Sequence, residues 1–104
     1  MQPNENDEVI NLEELAKAGK EVPRATRYRI RVDKTQVVVD GPTITGAQIL
    51  TVAGKVPPER FRLDQKFRDG SIRKVELTQV VDLTSPGLER FFTIPLDQTE
   101  GNAR

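Results

Sequence analysis

The stretch "RYRIRVDKTQVVVD", residues 27–40, constrains the fold more than any other part of the chain. Tyr28, Ile30 and Val32 alternate with Arg27, Arg29 and Arg31, which is the period of a strand with one buried and one wet face. Asp33-Lys34 supplies a tight turn, and "TQVVVD" is β-branched enough to return as the second strand of a hairpin. A lone hairpin is marginal in water. The rest of the chain must therefore cover its apolar face.

The segment after the hairpin supplies the cover. Thr45 followed by Gln48 has the spacing of a capping box, and Ile44 and Ile49 occupy the two positions of a hydrophobic staple. A helix is expected from about Gly46, with Ile49, Leu50 and Ala53 on one face. Gly54 stands where a left-handed cap belongs, and Pro57-Pro58 forbids continuation, so the helix has two to three turns. Phe61, Leu63 and Phe67 then suggest a strand, "RDGS" a turn, and Ile72, Val75 and Leu77 a second short strand. "VDLTSPGLER" reads as a loop or single helical turn. "RFFTIPL" closes the set as a last strand, which Pro95 stops because it cannot donate a ladder hydrogen bond.

The order strand, strand, helix, strand, strand, strand fits an α+β domain with one main helix across a mixed sheet of about five strands, the outline of a β-grasp. The expected core is Ile30, Val32, Ile49, Leu50, Leu63, Phe67 and one of Phe91 and Phe92. Those last two are adjacent, so they point to opposite faces of the strand. The one left outside is a candidate docking residue.

The first 24 residues form an N-terminal extension to a domain spanning 25–96. "INLEELAKAG" carries its own helix signals, with Asn11 as cap, Glu14 three residues on and Gly19 after the end. Two turns do not persist alone in water. We expect this segment to order when Ile10, Leu12 and Leu15 find a partner, a neighbouring copy included, and "KEVPRA" to be an extended linker.

Residue types exclude more chemistry than they suggest. The 104-residue chain has no Cys and no His, which removes disulfides, thiolate metal sites, the usual neutral-pH base and the strongest nucleophile. No catalytic site, metal or cofactor is expected. Ser71 and Ser85 sit among turn residues with no base beside them, and Asp64, Asp69 and Asp82 have no metal-ligand spacing. The N-terminus lacks the apolar run of a signal peptide, and no membrane-spanning run occurs, which fits a cytoplasmic protein. Sixteen acidic and sixteen basic residues balance, but residues 24–74 are net +7 between flanks of −4 and −3. The alternating arginines suit the wet face of a strand better than a nucleic-acid surface, since no aromatic residues are interleaved for stacking.

"RYRIRVD", "PTITGAQIL", "KVPPERFRL", "VDLTSPGLERF" and "IPLDQTEG", in that order, resemble the bacterial multiubiquitin-domain family, and "GKVPPERFRL" resembles the corresponding stretch of ubiquitin. The resemblance runs from about Asn11 to Gly101. It implies a ubiquitin-like β-grasp protein, often found as tandem copies, that works with an activating-like enzyme, a conjugating-like enzyme and a processing peptidase to modify protein targets.

A covalent modifier needs no catalytic residue, only a body for enzymes to hold and a C-terminal strap whose carboxylate is activated. Residues 97–104 are read as that flexible tail. Gly101, without a Cβ to obstruct a narrow channel, is the candidate attachment residue, with cleavage between Gly101 and Asn102. Ubiquitin ends in two glycines, whereas Glu100 here precedes a lone Gly101 and Asn102, Ala103 and Arg104 follow. A non-covalent β-grasp adaptor or self-assembling module is the alternative.

Overall fold

A computed structural model of the chain describes residues 9–96. The predicted hairpin is present as β2 (Arg27–Val32) and β3 (Thr35–Asp40), in register from Arg27 opposite Asp40 to Val32 opposite Thr35. The turn between them places Asp33 at φ 55°, a left-handed conformation that Asp tolerates better than most residues. Tyr28, Ile30 and Val32 are buried and the intervening arginines are half-buried, as the alternation predicts.

The sheet is built around the last strand. β8 (Leu88–Pro95) meets β2 in parallel, with Val32 opposite Phe91, and pairs antiparallel with β5 (Phe61–Phe67) along its other edge. β5 turns through residues 68–71 into β6 (Ile72–Val75). Pro95 is the last residue of β8 and lies opposite Phe61, yet the ladder runs one bond further: the Leu96 N–H donates to the Arg60 carbonyl at 2.8 Å.

Across the core face lies α2 (Gly46–Val52), whose start has the predicted capping box in full. Thr45 Oγ1 accepts from the Gln48 N–H and the Gln48 side chain accepts from the Thr45 N–H. Ile49 and Leu50 are completely buried in one cluster with Tyr28, Ile30, Val32, Leu63 and Phe91. Gly46 is needed for closeness. A Cβ there would overlap the Glu76 carbonyl oxygen and press on Val75.

The expected α+β fold, a mixed sheet of about five strands with one main helix across it, is present, and the N-terminal segment adds a sixth strand to β2, β3, β5, β6 and β8. Three other expectations are corrected. Residues read as a loop supply β7 (Val80–Asp82), which pairs antiparallel with β4 (Thr43–Thr45) in a separate two-stranded sheet that buries Val81 beside Ile44 in the core. Phe67, expected in the core, is only half-buried at its margin, with Arg73 over its ring at 5.3 Å. It sits after the irregularity at Lys66/Phe67, where the register with β8 shifts and the strand's alternation is interrupted.

The third correction concerns the N-terminal segment, which packs into the body of the domain. β1 (Val9–Asn11) runs parallel to β2 along Arg27–Arg29, on the same edge that β8 occupies at Val32. α1 (Leu12–Ala18) then packs against β8 and β2. Its predicted cap is present, with Asn11 Oδ1 accepting from the Glu14 N–H at 3.1 Å and Gly19 at φ 70° closing the helix. The side chains expected to await an outside partner are turned inward: Ile10 is buried, Leu12 is 0% exposed, and Leu15 packs against the same cluster. Tertiary burial supplies the stability that two helical turns lack. The linker is tied down as well, because the buried Tyr28 hydroxyl accepts from the Ala25 N–H at 2.7 Å and donates to the Pro23 carbonyl at 3.0 Å.

Candidate interaction surface and C-terminal strap

Residues directly opposite each other in a ladder share a face. Phe91, opposite Val32 and Gln65, is therefore on the core face and is completely buried, so it is not a docking residue. Phe92 lies on the outer face, opposite Asp64 and half-buried. On that face β8 presents Arg90, Phe92 and Ile94, β5 presents Arg62, Asp64 and Lys66, and β6 adds Ile72 and Lys74. Ile94 is 47% exposed and Leu96, just beyond the strand, 53%. Phe92, Ile94 and Leu96 thus form an apolar ridge with basic side chains beside it.

The charges on this face are mostly paired. Asp64 is 2% exposed and receives Arg62 through Nε at 3.2 Å. Glu89 is met by Lys66 at 3.4 Å and Arg90 at 3.5 Å, and Glu13 of α1 takes Arg31 at 2.9 Å. A carboxylate this buried is tolerable because it is paired and hydrogen-bonded. The Glu13–Arg31 contact also couples α1 to the outer face of β2.

β8 is held at the point where it leaves the sheet by a residue that sequence reading treated only as a turn former. The Asp33 N–H donates to the Phe91 carbonyl at 2.9 Å. Its carboxylate accepts from the Thr93 N–H at 2.9 Å and from Thr93 Oγ1 at 2.6 Å, with Lys55 at 3.5 Å. The β2–β3 turn therefore continues, through a side chain, the parallel ladder that the backbone of β2 has left. Partial burial alone would push the Asp33 carboxyl up, but the bonds from Thr93 and the Lys55 charge together outweigh it and hold the carboxyl below its ordinary value. An aspartate at the left-handed position of a hairpin was the available signal, but its partner is 60 positions away.

The Ser71 N–H donates to Asp69 Oδ1 and Ser85 Oγ donates to the Asp82 carbonyl, both within turns. Among the described residues no three carboxylates converge as a metal site would require. No described helix is long and apolar enough to cross a membrane. Gly101 and Asn102, the candidate attachment and processing residues, lie outside the described residues.

The family model for multiubiquitin matches residues 28–95, the span from Tyr28 in β2 to the end of β8. The chain belongs to the multiubiquitin family. No curated protein and no solved structure gives a significant match to it. The multiubiquitin domain is a ubiquitin-like β-grasp, with its mixed sheet wrapped on α2 and β8 carrying the chain out of the fold next to Arg60. In this multiubiquitin domain β1 and α1 precede the matched span, yet they share its core.

Proposed function

We propose that this multiubiquitin domain is a protein modifier. A peptidase trims the tail after Gly101, an activating-like enzyme activates the new carboxylate, and a conjugating-like enzyme passes the domain to protein targets in the cytoplasm. The observation that carries this reading is the exit of β8. A multiubiquitin-family body ends in a strand fixed by Asp33 and Arg60, and the chain beyond Leu96 turns polar and places its one glycine five residues on. Such a strap can be gripped and cut without unfolding the domain that bears it. The ridge of Phe92, Ile94 and Leu96 supplies the handhold beside it, apolar at its centre with basic neighbours, a composition suited to a protein partner.

The exposed ridge favours a second reading, a non-covalent adaptor, because an apolar sheet face serves docking whether or not a bond is later formed. One experiment separates the two. The full chain is incubated with its cognate peptidase, then with activating enzyme and ATP, and followed by intact mass. The modifier reading expects loss of Asn102, Ala103 and Arg104 followed by an adduct that Gly101→Leu abolishes. An adduct formed normally by Gly101→Leu removes Gly101 from its role, and no processing or activation at all leaves the adaptor.

A further inference from the structure

Among the described residues, β1, β3 and β6 of the large sheet each pair with a single strand. Two of these edges are protected. β1 is three residues long, too short to template another strand, and β6 carries Arg73 and Lys74, charges of the kind that discourage edge pairing in natural sheets. β3 differs. It is six residues long, pairs with β2 in an unbroken register, and from Thr35 to Val39 holds no charge, no proline and no glycine.

Alternation fixes which backbone groups of β3 are open. The Gly41 N–H donates to the Thr26 carbonyl, continuing the β2–β3 register by one pair, so the odd-numbered residues of β3 bond to β2. Gln36, Val38 and Asp40 therefore turn their N–H and C=O groups outward, where no described residue meets them. Val38 adds an apolar side chain that is 43% exposed.

The ends of β3 decide what fits this edge. Lys34 and Asp40 bracket the uncharged run, and neither makes an ion pair among the described residues. When β3 is laid antiparallel on a copy of itself with Val37 opposite Val37, Gln36 meets Val38 and Lys34 meets Asp40 at both ends. The same register brings the outward backbone groups of the two strands together, since even-numbered residues face even-numbered ones. A slide of two residues in either direction keeps that parity but sets Asp40 opposite Gln36 or Val32, and the charge match is lost. The edge is thus complementary to itself in sequence, in backbone bonding and in charge.

We propose that β3 pairs antiparallel with β3 of a second copy of this chain, about a two-fold axis beside Val37, so that two sheets become one. Gln36 and Val38 exchange backbone hydrogen bonds with Val38 and Gln36 of the other copy, and an ion pair between Lys34 and Asp40 closes each end. Such a contact is isologous and stops at two copies. It runs along only about 20 Å of strand, less than a standard interface, so a dissociation constant of about 0.1 mM is expected. β2 separates β3 from β8, so the pairing leaves the exit of β8 uncovered and does not rest on the modifier reading.

The test is sedimentation of the full chain from about 10 µM to 1 mM, with Lys34→Glu and Asp40→Lys each alone and then mixed. Both sites are exposed, and denaturation midpoints near that of the native chain are expected to show the fold intact. Lys34→Glu has an acid at both ends of the strand and Asp40→Lys a base at both ends, so each repels its own kind and attracts the other. The native chain is expected to pass from monomer to dimer. Each variant alone is expected to dissociate about tenfold more readily, and the equimolar mixture to return to within about threefold of the native value. The amide signals of Gln36 and Val38 are expected to shift with concentration in the native chain and on mixing of the variants. Four results would each overturn the proposal: a native chain still monomeric at about 1 mM, single variants that associate like the native chain, a mixture no better than its parts, or a mass that grows past two copies, as open-ended pairing of β3 with β6 would give.

Discussion

Replacing Asp33 isolates the charge that pins β8 at its exit. In Asp33→Asn one side-chain oxygen can still accept from Thr93 and the residue still tolerates φ 55°, so what is lost is the negative charge shared with Thr93 and Lys55. Hydrogen bonds to a charged group are worth about 1.5–3 kcal/mol and neutral ones about 1. With the side chain 29% exposed, screening favours the low end, and we expect about 1 kcal/mol of destabilisation at pH 7. Asp33→Ala loses both bonds and forces a poor residue into the left-handed region, for about 3 kcal/mol.

The pH dependence gives an independent check. The Asp33 carboxyl is held below its ordinary value in the fold, so its stabilisation is fully present above the unfolded-state value and is lost as pH falls through the folded one. Urea denaturation at pH 7 and near pH 3 is the assay, read as the midpoint at unchanged m-value. The gap between the native chain and Asp33→Asn is expected to narrow in acid. An equal gap at both pH values, or none at pH 7, would refute the account of the Asp33–Thr93 latch.

Two further substitutions probe the packing. Gly46→Ala should stabilise an isolated helix, but here the added methyl meets the Glu76 carbonyl, so denaturation is expected to show a loss of about 1–3 kcal/mol; a gain would mean that the α2–β6 approach is looser than described. Leu12→Ala is expected to cost about 2–5 kcal/mol in a single cooperative transition, because Leu12 is interior to the same core as Ile30 and Phe91; an unchanged midpoint would return the N-terminal segment to the status of a linker.

The elements that could be read from sequence are those whose causes are local. The β2–β3 hairpin declares itself in a two-residue period, and α2 in a cap, Thr45, and a glycine, Gly54, nine residues apart, all close in sequence to what they determine. β4 and β7 escaped because three residues carry no period, and Thr43–Thr45 find their partner only at residues 80–82. The caps of α1 were legible, but its seat on β8 and β2 was not, since seven residues say which side is apolar and not what it meets. At the candidate site, the division of Phe91 and Phe92 between two faces followed from alternation, though not which was buried. The burial of Gln65 was missed because a polar residue in a strand normally marks the wet side, and here it faces the core.

The position of β8 also gives the molecule a mechanical direction. A force applied to the tail loads a strand paired on both edges, with the ladder to β5, the bonds through Asp33 and the Leu96–Arg60 bond all stretched together. A force applied at the N-terminal side meets β1 first, three residues paired along a single edge, and can peel its bonds in succession before the rest of the sheet feels the load. Resistance in parallel exceeds resistance in series. The same fold is therefore stiff when drawn by the end that carries Gly101 and yielding when drawn by the other, so an unfolding machine that captures the chain would meet two different materials according to which end it holds.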